Sequence, residues 1–260
     1  MSSKPIGIYD SGVGGLSIWS EIHQLLPMES TVYLSDSKHA PYGPKGKEAI
    51  IKLSIKNTEW LIDQGCKLIV VACNTATTNA IDTLRKNYPI PFIGIEPAIK
   101  PAALQSKSKA IGILATKGTL SSQLFHETSQ LYSSDLLVVE QVGNGIVELI
   151  ENGALYSDEM KHLLQSYLQP MLDAEIDCLV LGCTHYHFLT PILKQLLPSH
   201  VKIIDSGKAV AKQTKAVLEN NSLLNTESSV ETNRFYTNGE KEVIASLLKS
   251  ETTSIKKLEF

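Results

Sequence analysis

Long hydrophobic runs are missing from this 260-residue chain. No apolar stretch approaches the roughly 20 residues that a membrane-spanning helix requires, which argues against an integral helical membrane protein. The N-terminus, Met1-Ser-Ser-Lys-Pro-Ile-Gly-Ile, lacks the apolar core and small-residue cleavage site of a signal peptide and enters a strand-like run almost at once; a cytoplasmic location and no membrane partner are expected. Cysteine is scarce. The four residues at 66, 73, 178 and 183 are too few and too unevenly placed for a disulfide scaffold, and in a reducing compartment they are free thiols. Positive charge is not in excess either: 24 Lys and Arg against 27 Asp and Glu leave a net charge of -3, so nucleic acid is not expected as a main partner. C-x-x-C, G-x-G-x-x-G and a Walker lysine are all absent, which weighs against dithiol redox chemistry and nucleotide binding. What remains, 43% hydrophobic and 20% charged, is ordinary soluble globular composition, in a chain longer than one typical domain.

Short Ile- and Val-rich runs alternate with stretches of helical periodicity. Strands are predicted at Ile6–Tyr9, Val32–Ser35, Leu68–Ala72, Phe92–Ile95, Ala110–Ala115, Leu136–Glu140, Cys178–Gly182 and Val201–Asp205, each apolar enough to be buried on both faces of a parallel sheet. Helices are predicted over Ala49–Gln64, Leu189–Leu197 and Ala209–Leu218. The class is therefore α/β. Slid against itself, the chain repeats: Ile6-Gly-Ile-Tyr-Asp-Ser aligns with Ile111-Gly-Ile-Leu-Ala-Thr, Val32-Tyr-Leu-Ser-Asp loosely with Leu137-Val-Val-Glu-Gln, Leu68-Ile-Val-Val-Ala-Cys with Cys178-Leu-Val-Leu-Gly-Cys, and Phe92-Ile-Gly-Ile with Ile203-Ile-Asp. The order is preserved, so two pseudosymmetric domains are expected, each a mainly parallel sheet flanked by helices, with the active site in the cleft between them. The hinge falls at Pro97–Pro101. The domains are residues 1–97, completed by 206–260, and residues 98–205. After Asp205 the texture changes: 219–232 reads as a loop, and Phe235-Tyr-Thr-Asn-Gly-Glu begins a short strand and a final helix.

Ligands of open parallel sheets bind beyond the carboxyl ends of the strands. The residues that fall there are Asp10-Ser-Gly-Val-Gly-Gly, Ala40-Pro-Tyr-Gly, Cys73-Asn-Thr-Ala-Thr, Thr116-Lys-Gly-Thr and Cys183-Thr-His-Tyr-His. Cys73 and Cys183 hold equivalent positions in the two halves, each at a step from strand to helix. Two sulfurs facing one point from opposite sides suit a nearly symmetric reaction, the removal and return of a proton at a chiral carbon, with one base on each face. A helix N-terminus lowers a cysteine pKa, so one thiolate and one thiol are expected at rest. Cys66 and Cys178 lack polar company and read as buried packing residues. Asp10 and His185 sit beside the sulfurs as proton partners, although a helix cap and a packing histidine are the plainer roles for them. The other six histidines, His187 among them, read as surface or structural. Gly12-Val-Gly-Gly could cradle a phosphate or equally a carboxylate. Cys183-Thr-His-Tyr-His supplies metal donors without the spacing of a complete site, so no metal is expected.

Taken together, Asp10-Ser11-Gly12-Val13-Gly14-Gly15, Pro41-Tyr42-Gly43, Cys73-Asn74-Thr75 and Gly182-Cys183-Thr184-His185-Tyr186 resemble the glutamate racemases, cofactor-independent enzymes that make D-glutamate for bacterial peptidoglycan. The resemblance spans essentially the whole chain. It implies that Cys73 takes the α-proton from D-glutamate and Cys183 from L-glutamate, assisted by Asp10, His185 and a glutamate early in the second half, for which Glu151 is the best positional match and Glu148 a competitor. It implies substrate contacts from Ser11, Tyr42, Gly43, Asn74, Thr75, Thr184 and His185, with hydroxyls of Thr116 and Thr119 in addition. It also implies a homodimer and a tail that completes the first domain. Where many relatives carry Cys-Pro this chain has Gln141-Val-Gly-Asn-Gly, and where many carry proline after the histidine and aromatic it has His187; the resemblance thus speaks to the catalytic set rather than to pocket shape or regulation.

An α-carbon is a far weaker acid than a thiol. A mismatch on the order of ten pK units corresponds to about 14 kcal/mol. With no pyridoxal-type lysine context, donors around the carboxylate and exclusion of water must offset it, and closure of the halves over substrate is expected. The rival readings are a racemase of aspartate or another small acidic substrate, a non-catalytic amino-acid-binding module, and a thiol redox protein.

Overall fold

The computed structural model describes residues 3–132, 136–226, 232–248 and 254–260. Its first part runs β1 (Ile6–Asp10), α1 (Leu16–Leu25), β2 (Thr31–Ser35), α2 (Lys47–Asp63), β3 (Leu68–Val71), α3 (Asn74–Asn87) and β4 (Phe92–Gly94). The second runs α4 (Ile99–Gln105), β5 (Ala110–Ala115), α5 (Lys117–Leu120), α6 (Gln123–Gln130), β6 (Leu137–Val142), α7 (Ile146–Glu151), α8 (Asp158–Asp173), β7 (Cys178–Gly182), α9 (Thr190–Leu196) and β8 (Lys202–Ile204). The tail supplies α10 (Gly207–Asn220), β9 (Asn233–Thr237), α11 (Lys241–Leu248) and β10 (Ile255–Lys257). Residues 227–231 of the predicted 219–232 loop lie outside the described residues.

Two sheets result, ordered β10-β9-β2-β1-β3-β4 and β6-β5-β7-β8, and every strand pairing is parallel. The inner order is the same in both: β1 lies between β2 and β3, as β5 lies between β6 and β7. This is the α/β, two-sheet class expected from the alternation of apolar runs. Register refines the internal repeat. Ile6 pairs with Leu68 and Ile111 with Cys178, matching the alignment, but Ile6 faces Thr31 whereas Ile111 faces Val138, two residues later than the loose match of Val32 to Leu137 requires. A two-residue slip keeps each side chain on its own face, which is why the hydrophobic pattern concealed it.

Strands β1, β2, β3, β5 and β7 are buried throughout, as both-face coverage by helices demands. β6 corrects the expectation of a fully buried strand at 136–140. It is the edge strand of its sheet, it runs on to Val142, and Leu137 is 56% exposed. The tail packs on the first sheet: β9 pairs with β2, and the rings of Phe235 and Trp19 meet in a T-shaped contact with centroids 4.9 Å apart. Lys67 donates to Glu29 at 2.6 Å and to the Leu223 carbonyl at 2.8 Å, tying the segment after α10 to the base of the same sheet.

Thr77, one turn into α3, joins the tops of β3 and β4. Its hydroxyl donates to the Val71 carbonyl at 3.1 Å and accepts from Ile95 N–H at 3.0 Å. Thr77→Val keeps the shape and removes both bonds in a buried place, so denaturant unfolding is expected to show a loss of about 2 kcal/mol.

Candidate active site

Cys73 follows β3 and caps α3, its sulfur accepting from Ala76 N–H at 3.4 Å and its thiol donating to Ser11 Oγ at 3.5 Å. Cys183 follows β7 at the matching point of the second sheet, with its sulfur 3.8 Å from His185 Nδ1. Here the two halves differ. The chain beyond Cys183 winds into a 3₁₀ helix, Thr184–Leu189, and becomes α-helical only at Thr190, with Pro191 in the first turn. Cys183 therefore lacks the α-helix N-terminus expected for it, and the predicted Leu189–Leu197 helix starts one residue later. The expected lowering of a thiol pKa is also reversed at Cys73: burial, and then the negative charge of Asp10, push this thiol well above the ordinary cysteine range, with Cys183 adding to the rise. A helix terminus contributes about 0.3–1 kcal/mol, whereas full desolvation moves a pKa by several units.

Asp10, at the end of β1, is fully buried and organises the glycine loop before α1. Its Oδ2 accepts from Gly15 N–H at 2.9 Å and Gly12 N–H at 3.3 Å, and its Oδ1 from Thr184 Oγ1 at 3.3 Å. Burial raises its pKa to about 6, against the opposing pull of His185 and the Gly15 N–H. His185 Nδ1 lies 3.9 Å from Asp10 Oδ2, and His185 Nε2 donates to Glu151 Oε1 at 2.5 Å. Burial disfavours charge on His185, but hydrogen bonds to Cys183 and Glu151 outweigh it and hold the imidazole well above its usual pKa. The cationic ring presents an N–H to each neighbour.

Glu151 ends α7, a helix launched from Gly145 in the left-handed conformation at φ 80°. Its carboxylate crosses to the first half and accepts from Val13 N–H at 2.7 Å and Ser37 Oγ at 2.7 Å. Glu148 instead lines a separate cavity of about 140 Å³ with Pro41, Thr116 and Asn144. Of the two carboxylates, Glu151 is the one in contact with His185.

The remaining sequence candidates divide by what their polar atoms already touch. Asn74 is 2% exposed, and neither its amide nitrogen nor its oxygen has a hydrogen-bond partner. Such a group is costly unless something satisfies it. It lines, with Cys183 and Thr184, a cavity of about 10 Å³, room for one water at most. Thr75, from the first half, meets Thr116 at 2.7 Å and Thr119 at 3.3 Å, from the second. Gly43 packs on Thr116, where a Cβ would stand 3.0 Å from the threonine Cβ. Tyr42 is different: its hydroxyl donates to Asp36 at 2.5 Å and accepts from Asn57 at 3.1 Å, deep in the first core, so its phenol is already engaged. His187, read as structural, pairs with Asp205 at 3.4 Å and lines the small cavity beside Cys183; the Asp205 hydrogen bond raises its pKa. Sequence reading missed Ser37 altogether, although it follows the carboxyl end of β2, where the strand-end rule would have found it. Among the described residues, no three His, Cys, Asp or Glu side chains are grouped to hold a metal.

Comparison with known proteins follows the same lines. The sequence model of a family described as Asp/Glu/Hydantoin racemase matches residues 14–214. A glutamate racemase of Ectopseudomonas mendocina is 47% identical over 240 residues, 92% of this chain and 91% of that protein. Glutamate racemase isoform RacE1 from Bacillus anthracis superposes with a TM-score of 0.88 at 30% identity, covering 100% of this chain and 98% of that one. The Escherichia coli glutamate racemase, solved with L-glutamate and the activator UDP-MurNAc-ala, superposes with a TM-score of 0.87 at 32% identity, covering 98% of each chain.

Proposed function

From a chain that belongs to the Asp/Glu/Hydantoin racemase family, we infer interconversion of L-glutamate and D-glutamate by proton transfer at the α-carbon between two cysteines. The observation that carries this reading is the pair of sulfurs at equivalent strand ends, each with its own ionisable partner: Asp10 beside Cys73, and the His185–Glu151 pair beside Cys183. In our assignment Cys183 removes the proton from L-glutamate while Cys73 delivers one to the opposite face, and the roles exchange for D-glutamate. The unpartnered Asn74 amide, the hydroxyls of Ser11, Thr75, Thr116, Thr119 and Thr184, and the backbone of Tyr42 and Gly43 take the two carboxylates. These groups supply stabilisation where negative charge develops. The cavity beside Asn74 and Cys183 is too small for an amino acid and is not lined by Cys73, so in this reading the substrate takes space opened between the two sulfurs as the halves part and reclose.

The same proposal includes a domain division at residues 1–97 with 206–260 and residues 98–205, a cytoplasmic homodimer, and supply of D-glutamate to peptidoglycan. No helix among the described residues is long and apolar enough to cross a membrane. Purified chain, stripped of small molecules and given L-glutamate or L-aspartate without added cofactor, tests the reading by optical rotation. Glutamate alone is expected to racemise. Turnover of aspartate instead would move the assignment to that substrate, and binding without loss of optical activity would indicate a binding module.

Asp10 sets the pH response on the acid side. It assists Cys73 as a carboxylate, and with its pKa at about 6 it is protonated below that pH. The kcat/KM profile is expected to fall about tenfold per pH unit below pH 6. A flat profile down to pH 5 would remove Asp10 from the proton path.

A further inference from the structure

The Glu151 carboxylate, carried by the second half of the molecule, is held from both halves. One oxygen, Oε1, is shared by His185 Nε2 and Val13 N–H. The other, Oε2, has a single donor among the described residues, the hydroxyl of Ser37 at 2.7 Å. With both oxygens held, the carboxylate plane cannot turn about its last bond, and one lone pair stays aimed at the imidazole. Without Ser37 only Oε1 is held, and the plane is free to rotate away.

Ser37 is itself held in place. Its hydroxyl lies 3.0 Å from Ser35 Oγ, which can donate to it while it donates to Glu151. Its neighbours in the chain are clamped from the tail: the Asn238 amide donates to the Asp36 carboxylate at 2.6 Å and accepts from Lys38 N–H at 2.8 Å, and Asn238 N–H donates to the Ser35 carbonyl at 3.3 Å. Gly239 passes so close that a Cβ there would stand 2.5 Å from Ser37 Cβ. A rigid donor fixed to the first sheet therefore meets a carboxylate carried by α7 of the second half.

We propose that Ser37 is a positioning residue for the Cys183 side of the reaction: by orienting Glu151 against His185 it completes that proton partner only when the two halves are together. The proposal rests on the assignment of Cys183 and His185 given above. It reaches past that assignment to a residue outside the sulfur and substrate shells, and links closure to proton transfer on one face of the substrate.

The test is Ser37→Ala, assayed in both directions with ordinary and α-deuterated L- and D-glutamate. Loss of one hydrogen bond to a charged group is expected to lower kcat about tenfold, with KM within about twofold of wild type. The primary isotope effect is expected to rise with L-glutamate, where Cys183 is the base, and to fall with D-glutamate, where Cys73 makes the isotope-sensitive transfer and return of a proton by Cys183 becomes slow. In a Glu151→Gln background the same substitution is expected to cost less than about twofold, because Ser37 acts through that carboxylate. A merely structural contact would leave the isotope effects unchanged in both directions. Wild-type kcat in Ser37→Ala, isotope effects that move equally in both directions, or a full tenfold cost added to Glu151→Gln would each overturn the role. A wild-type chain that leaves the α-hydrogen of glutamate untouched would overturn the parent reading and this one with it.

Discussion

Cys73→Ala and Cys183→Ala are each expected to lower racemisation by about 10⁴-fold, the upper range for loss of a positioned acid–base group. Either change leaves one face of the α-carbon with no group to accept or return a proton. The two losses differ in kind. Cys73→Ala keeps the Cys183 side, so any residual wash-out of α-hydrogen is confined to L-glutamate; Cys183→Ala confines it to D-glutamate. Both sites are buried and lose only a sulfur atom, so thermal unfolding should report a folded protein in each case. Substantial inversion by either variant would remove that sulfur from the reaction.

Gly14→Ala is the second large effect. A Cβ at this position would stand 2.3 Å from His185 Nδ1 and 2.6 Å from the His185 backbone nitrogen. The side-chain overlap could be relieved by a turn of the ring, but the backbone overlap needs the second half to move back. That shift separates Asp10 from His185 and Thr184, both of which it meets across the cleft at under 4 Å. A displacement of about 1 Å in a reacting geometry costs about 10²-fold, so kcat/KM should fall by that factor while each half keeps its sheet. Wild-type kinetics in Gly14→Ala would show that the halves need not approach this closely during turnover.

Much of this architecture was legible because parallel sheets bury both strand faces. The runs Ile6–Tyr9, Ala110–Ala115 and Cys178–Gly182 carry that signal without interruption, and the family motifs fall where such strands end. The start of helix α3 after Cys73 was expected, but its extent was illegible for a related reason. Asn74, Thr75 and Thr77 are buried polar residues on its inner side, facing the site and the sheet ends, so they dilute the apolar periodicity by which a helix is recognised. The exposure of β6 depends on strand order, which no local window contains. The rise of the Cys73 pKa follows from how completely the two halves enclose it, a property of the assembled cleft. Ser37 carries no motif; its meaning comes from a carboxylate more than a hundred residues away. The choice between Glu148 and Glu151 likewise turns on which residue of α7 points at His185.

The account rests on two bases that serve opposite faces of one carbon. Early racemisation of L- or D-glutamate in D₂O, sampled before much product can return, tests it most directly, because the thiols exchange with solvent and the α-carbon does not. The account predicts deuterium at the α-carbon of the product, and protium retained in the recovered substrate, from either enantiomer. Deuterium entering substrate and product at equal rates would mean that one base serves both faces, and would contradict it.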